Sequence, residues 1–149
     1  MRKCLILCLL AFGATPAAAD FHAGNSGNWV FSILDGTRTA AHVSTNAELR
    51  VTCPQPGASG SYTVFVFSEG ITIDGLTDFG FDGGEVIALP MELGRFEVLS
   101  PGSGQVFAQF IALLRGSEIV SIVKDGRSQT SFSLNGAREV IGACPVEGL

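Results

Sequence analysis

Cys53 and Cys144 are the only cysteines beyond the apolar opening of this chain, and the second lies five residues from its end. In an oxidising compartment two such residues most simply form one bridge. It would close a loop of roughly 90 residues, worth about 4 kcal/mol in the chain-entropy view of disulfides. The tail of the chain is then fastened to its front half. Two separate buried thiols are the alternative. Redox catalysis is not expected, because neither cysteine belongs to a C-x-x-C pair or lies beside a base.

The oxidising compartment is itself inferred from residues 1–19. Arg2 and Lys3 form a basic start, an apolar stretch runs over 4–12, and Ala17-Ala18-Ala19 supplies small residues for a signal peptidase. The expected location is therefore the periplasm, or outside the cell, after Sec-type cleavage near Ala19-Asp20. The apolar run is shorter than the ~20 residues that span a bilayer, so no stable membrane insertion is expected after cleavage. Cys8 lies inside that run and follows Leu7, which does not fit a lipid-anchor motif.

Cleavage leaves about 130 residues, enough for one domain with one core. The formal net charge of −5 becomes about −7 once Arg2 and Lys3 are removed. No basic patch survives, which argues against nucleic acid as a partner.

Short alternating runs dominate the mature region. Residues 20–28 are small, polar and glycine-rich, and are expected to be a flexible N-terminus. Trp29, Phe31 and Ile33 share one face of a strand, Asp35-Gly36 is a hairpin turn, and Thr39, Ala41 and Val43 alternate on the return. Leu49, Val51 and Cys53 point inward on the next strand. The run 61–68 (SYTVFVFS) is apolar on both faces and is placed centrally. Two short strands, 71–73 and 85–89, flank an acidic loop, and Pro90 marks the end of the second or a sheet edge. Another short strand covers 95–99.

The period changes after Ser100-Pro101-Gly102-Ser103-Gly104. Val106, Phe107, Phe110, Ile111, Leu113 and Leu114 recur at helical spacing, predicting a helix over 105–115 that is capped by Ser103 or Gly104 and stopped by Gly116 in a left-handed conformation. A long strand is the rival. Residues 117–124 and 127–134 form a hairpin through Asp125-Gly126, and Asn135 caps a short helix through Ala143.

The early strand Leu49-Arg50-Val51-Thr52-Cys53, and the ending 131–144 (SFSLNGAREVIGAC) with its phenylalanine, leucine, glycine, short helix and cysteine, resemble small exported proteobacterial proteins. The likeness is to the VasI-like proteins associated with type VI secretion and, more loosely, to the invasion-associated locus B type. It covers these two stretches and carries no catalytic residue, and the additional cysteine-containing segment usual in the latter group is absent. It implies a disulfide-tied, sandwich-like fold in the periplasm, and a role in secretion only by analogy.

Chemistry-bearing residues are sparse. The acidic stretch 74–85 (DGLTDFGFDGGE) brings Asp74, Asp78, Asp82 and Glu85 onto a glycine-rich backbone, a candidate calcium loop whose spacing is not that of an EF-hand. Within it Phe79 and Phe81 either fold back onto the core or act as exposed anchors for a partner. His22 lies in the N-terminal segment and His42 on a weak strand, where a surface position is expected. No G-x-S-x-G turn presents a serine to His42. The glycine- and serine-rich segment at 100–104 lacks the lysine of a P-loop.

The expected architecture is a single α+β domain over 29–149, mainly antiparallel β with sandwich-like packing, one late helix, a short C-terminal helix and the Cys53–Cys144 bridge. The expected core is Trp29, Phe31, Leu49, Val51, Val64, Val66, Phe110, Leu114, Ile119, Val123 and Phe132. No catalytic residues, metal site or cofactor are expected. The leading expectation is a non-catalytic interaction module that binds another envelope protein. Inhibition of a periplasmic hydrolase is the first alternative, and a small hydrolase using His42 or a calcium-binding domain the second.

Overall fold

Alternation of apolar and polar side chains builds two antiparallel sheets, described over residues 21–142, 144–146 and 149 by a computed structural model. The leader expected over 1–19 lies outside the described residues. Ten strands are present among those described: β1 (Phe21–Ser26), β2 (Trp29–Leu34), β3 (Thr37–Val43), β4 (Ala47–Pro54), β5 (Thr63–Ser68), β6 (Gly75–Phe81), β7 (Val86–Met91), β8 (Arg95–Glu97), β9 (Ile119–Lys124) and β10 (Arg127–Ser133). Helix α1 covers Pro101–Gly116 and α2 covers Ala137–Ile141. One sheet has the order β1-β2-β3-β4-β5-β8 and the other β10-β9-β6-β7. The two pack as a sandwich, with α1 and α2 completing the core.

Turn chemistry fixes the hairpins. Asp35-Gly36 and Asp125-Gly126 all take positive φ, as two-residue primed turns demand. Leu49, Val51 and Cys53 are buried on β4, and Val64 and Val66 meet them from β5. From α1, Phe107, Phe110, Ile111 and Leu114 enter the same core. The Phe110 ring stands edge-on to Phe79 at 5.2 Å and to Phe81 at 5.9 Å, the favoured geometry for aromatic pairs. Cys53 and Cys144 are bonded, with Cα atoms 5.3 Å apart.

Several local expectations are corrected. In place of a flexible start at 20–28, β1 pairs with β2 along its whole length, from Phe21↔Leu34 to Ser26↔Trp29. Backbone pairing needs no apolar side chains, so composition concealed this strand. Residues 71–73 are not a strand, whereas most of the acidic stretch is β6, inside the second sheet. β5 lies next to last in its sheet, with only three-residue β8 beyond it. On β3 the core-facing set includes Ala40 and His42, while Val43 is exposed. On β9 the deeply buried residues are Val120 and Ile122, not Ile119 or Val123. A one-residue slip in a period of two exchanges the faces of a strand, and runs such as IVSIV are apolar in both phases.

Helix α1 begins one turn earlier than its apolar stripe. Ser100 is the N-cap: its hydroxyl accepts from the Ser103 N–H at 3.2 Å, while the Ser103 hydroxyl accepts from the Ser100 N–H at 2.9 Å. Pro101 follows in the first turn, where its missing N–H costs nothing. Gly116 stays helical, and the chain leaves through extended Ser117 rather than a left-handed glycine. Asn135 does not cap α2. Its carbonyl accepts the Asn28 N–H at 3.0 Å, and Gly136, at φ 88°, takes the cap position. Residue 143, the expected helix end, is outside the described residues.

Arginines hold α2 in place. Arg38 Nη1 donates to the Val140 carbonyl at 3.0 Å, and its guanidinium lies 4.5 Å from the Phe31 ring centre. Arg115 Nη2 donates to the carbonyls of Ile141 and Cys144 at 3.1 and 2.9 Å. A cation is well placed where a helix leaves its last carbonyls without partners. Trp29 adds a bond from its indole N–H to the Ser133 carbonyl at 2.9 Å.

Candidate functional site

Strand formation separates the acidic residues of 74–85. Asp74 accepts the Leu93 N–H at 3.2 Å. Asp78 is exposed on β6, opposite Ala88 and Val123. Asp82 accepts the N–H groups of Glu118 and Ile119 at 3.1 and 3.4 Å. Desolvation works to raise the Asp82 pKa, but these amides, its own N–H and the Ser117 hydroxyl outweigh it and hold the carboxyl below its ordinary value. Glu85 is exposed, and its carbonyl accepts from Phe81 in the turn to β7. Among the described residues no three His, Cys, Asp or Glu side chains are gathered to hold a metal ion. Phe79 and Phe81 are buried, at 0% and 5% exposure, so they are core residues and not exposed anchors.

His22 lies on β1 opposite Ile33. His42, expected at the surface, is 9% exposed between Trp29 and Phe132, with ring centres 6.0 and 5.6 Å away. Its cross-strand neighbours, Trp29 and Leu49, do not titrate, and its Nδ1 has no hydrogen-bond partner. Burial pushes the His42 pKa below its ordinary value, against a smaller opposing effect of its own backbone. The unfolded chain therefore binds a proton near pH 6.5 that the folded chain resists. Stability conferred by neutral His42 is complete above that pH and is lost as the pH falls through it toward the lower folded value. Denaturant melts between pH 7 and pH 5 are expected to show this fall, and His42→Leu should flatten it. An unchanged slope in the variant would assign the fall to other groups.

The surface that stands out surrounds Leu93, which the sequence did not single out. Glu92 and Arg95 exchange backbone hydrogen bonds of 2.8 and 2.9 Å across a two-residue turn. Its central residues, Leu93 and Gly94, have φ of 49° and 80°. Primed turns favour Asn, Asp or Gly in the first central position, and a left-handed leucine costs about 1–2 kcal/mol. The tip is also fixed from outside. Besides the Asp74 bond, Gly94 N–H donates to Ile73 O, and Gly94 O accepts from Val66 N–H, both at 2.8 Å.

Although the backbone is strained, the Leu93 side chain is 86% exposed. It forms a ridge between two open grooves. One, of about 630 Å³, also includes Pro90, Phe96, Leu99 and Ser103. The other, of about 250 Å³, runs past Phe67 and Ile71. Phe65 borders both, opposite Arg50 and Arg95 in register, with the Arg50 guanidinium 5.3 Å from its ring centre. Leu99 is 83% exposed. Arg50 pairs with Glu48 and Arg95 with Glu97, the latter at 3.4 Å. These solvent-facing pairs add little stability.

Leu93→Asn is expected to raise stability by about 1 kcal/mol, because asparagine accepts positive φ more readily. Thermal denaturation measures it. A loss of stability would mean that Leu93 contributes packing within its own fold.

Compared with protein-family models, curated proteins and solved structures, the chain matches none.

Proposed function

We propose that the chain is a non-catalytic protein-interaction module that works in the periplasm within an envelope or secretion-associated assembly, and that it contacts its partner around Leu93. The reading is carried by one observation: a leucine held at unfavourable φ and exposed between two grooves. Strain and exposure each disfavour the isolated molecule, and outliers of this kind concentrate at functional sites. Burial of Leu93 in an interface would recover much of that free energy. Fixation of the tip by Asp74 limits the entropy lost on binding.

The test compares wild-type protein with Leu93→Asp, each used to capture proteins from the periplasm of the source cell. A partner retained by the wild type and lost with the variant, at similar melting temperatures, is the expected result. Equal recovery by both proteins, or recovery of the chain from the cytosol with its leader intact and two free thiols, would overturn the proposal.

The same preorganised tip also favours hydrolase inhibition as the form the interaction takes. Lysozymes and proteases whose activity is unchanged by excess protein would remove that alternative.

A further inference from the structure

Building on the interaction role, we propose that the partner supplies an extended polypeptide segment, alternating apolar and basic residues, that adds to the open edge of β8. The placement of the larger groove motivates this. β7 and β8 are the last strands of their respective sheets, and they diverge from the shared Leu93 turn. The groove is bordered by Pro90 of β7 and by Arg95, Phe96 and Glu97 of β8, and it reaches Phe65 of β5. Consecutive residues Arg95, Phe96 and Glu97 all border it. Because neighbouring strand residues point to opposite faces, a groove touching all three runs beside the backbone edge.

That edge can be read bond by bond. Val66 N–H donates to Gly94 O and Val98 N–H to Tyr62 O, so the Gly94 carbonyl, the Val98 N–H and the peptide groups of Phe96 between them face β5. The backbones of Arg95, Glu97 and Leu99 face the other way. Arg95 is joined to Glu92, and Leu99 N–H donates to the Ser103 hydroxyl at 3.0 Å. Between them, Glu97 presents its N–H and C=O to the groove. On the opposite wall Pro90 has no N–H to donate, which makes β8 the template for an added strand.

Charge selects the occupant. Glu92 and Glu97 border the groove against one arginine, Arg95, which is already paired with Glu97. A basic residue in the incoming segment would neutralise Glu92, while apolar residues cover Leu93 and Leu99. A second copy is disfavoured, since two-fold pairing about Glu97 would bring identical carboxylates together in a chain of net charge −5.

Selection of displayed random dodecapeptides on the folded protein, followed by synthesis of the most enriched sequence, tests the proposal. Enriched peptides should alternate apolar residues with Lys or Arg and shift backbone amide resonances of residues 93–99. Their affinity should fall about tenfold or more in Glu92→Lys/Glu97→Lys. The proposal is overturned by helically spaced or acidic winners, by no enrichment above a Leu93→Asp control, or by a dimer joined through β8 in sedimentation. Helically spaced winners together with a Leu93-dependent partner in the capture experiment would sink only the mode of binding. A capture result indifferent to Leu93 would remove the interaction role as well.

Discussion

Gly136→Ala is expected to destabilise the protein by about 2–5 kcal/mol, lowering its melting temperature by roughly 15 °C. Gly136 has φ 88°, where a side chain costs about 1–2 kcal/mol. The larger effect is steric. A Cβ here would fall inside the contact distance of the Ser26 carbonyl and the Gly27 nitrogen, and backbone cannot rotate away as a side chain can. Either the β1–β2 turn or the start of α2 must move, at a typical overpacking cost of about 1–3 kcal/mol. Gly57→Ala is the control, because Gly57 also has positive φ, 85°, but has open space around its Cβ position. Its expected cost is about 1 kcal/mol, the backbone share alone. Similar losses for both variants would show that α2 does not press on the turn in solution.

Removing the disulfide with Cys53→Ser/Cys144→Ser should cost about 4–5 kcal/mol, the chain-entropy value for a loop of this size. The sequence separation is 91 residues. With total stabilities of about 5–15 kcal/mol typical of domains, the variant would be marginal near body temperature. It should still fold at low temperature, because Arg38 and Arg115 hold α2 by hydrogen bonds independent of the sulfurs. Denaturant titration of the oxidised protein and the double variant measures the difference. A loss below about 1 kcal/mol would indicate that these contacts, rather than the bridge, restrict the tail.

The parts of the fold legible in the sequence were those with strong local chemistry. Asp-Gly turns fixed two hairpins, clean alternation placed Leu49, Val51 and Cys53 inward, and of the two readings of Pro90, a strand end or a sheet edge, the edge is the one found, since β7 runs on to Met91. α1 was visible from its apolar spacing, but its start depends on a reciprocal pair of serine hydroxyls that hydrophobicity does not register. β1 is hidden in the sequence because it is held by pairing with β2 and not by its own composition. The acidic stretch looked like a loop because glycines and carboxylates dominate it, while Phe79 and Phe81 were the true signal of a half-buried strand. The exposed surface around Leu93 was the least legible feature. Leu93-Gly94 is an unfavourable dipeptide for a primed turn, and its meaning depends on Asp74, Ile73 and Val66, which the fold brings to it from elsewhere.

The seating of α2 against the β1–β2 turn has a consequence for how the molecule is made. A polypeptide emerging amino end first from a ribosome or translocation pore can pair its first strands early. It cannot close that end of the sheet until the segment containing Gly136 arrives. Consolidation of that end therefore waits for two segments far apart along the chain to meet. Nascent intermediates would remain open to proteases and chaperones until the segment containing Gly136 has been made.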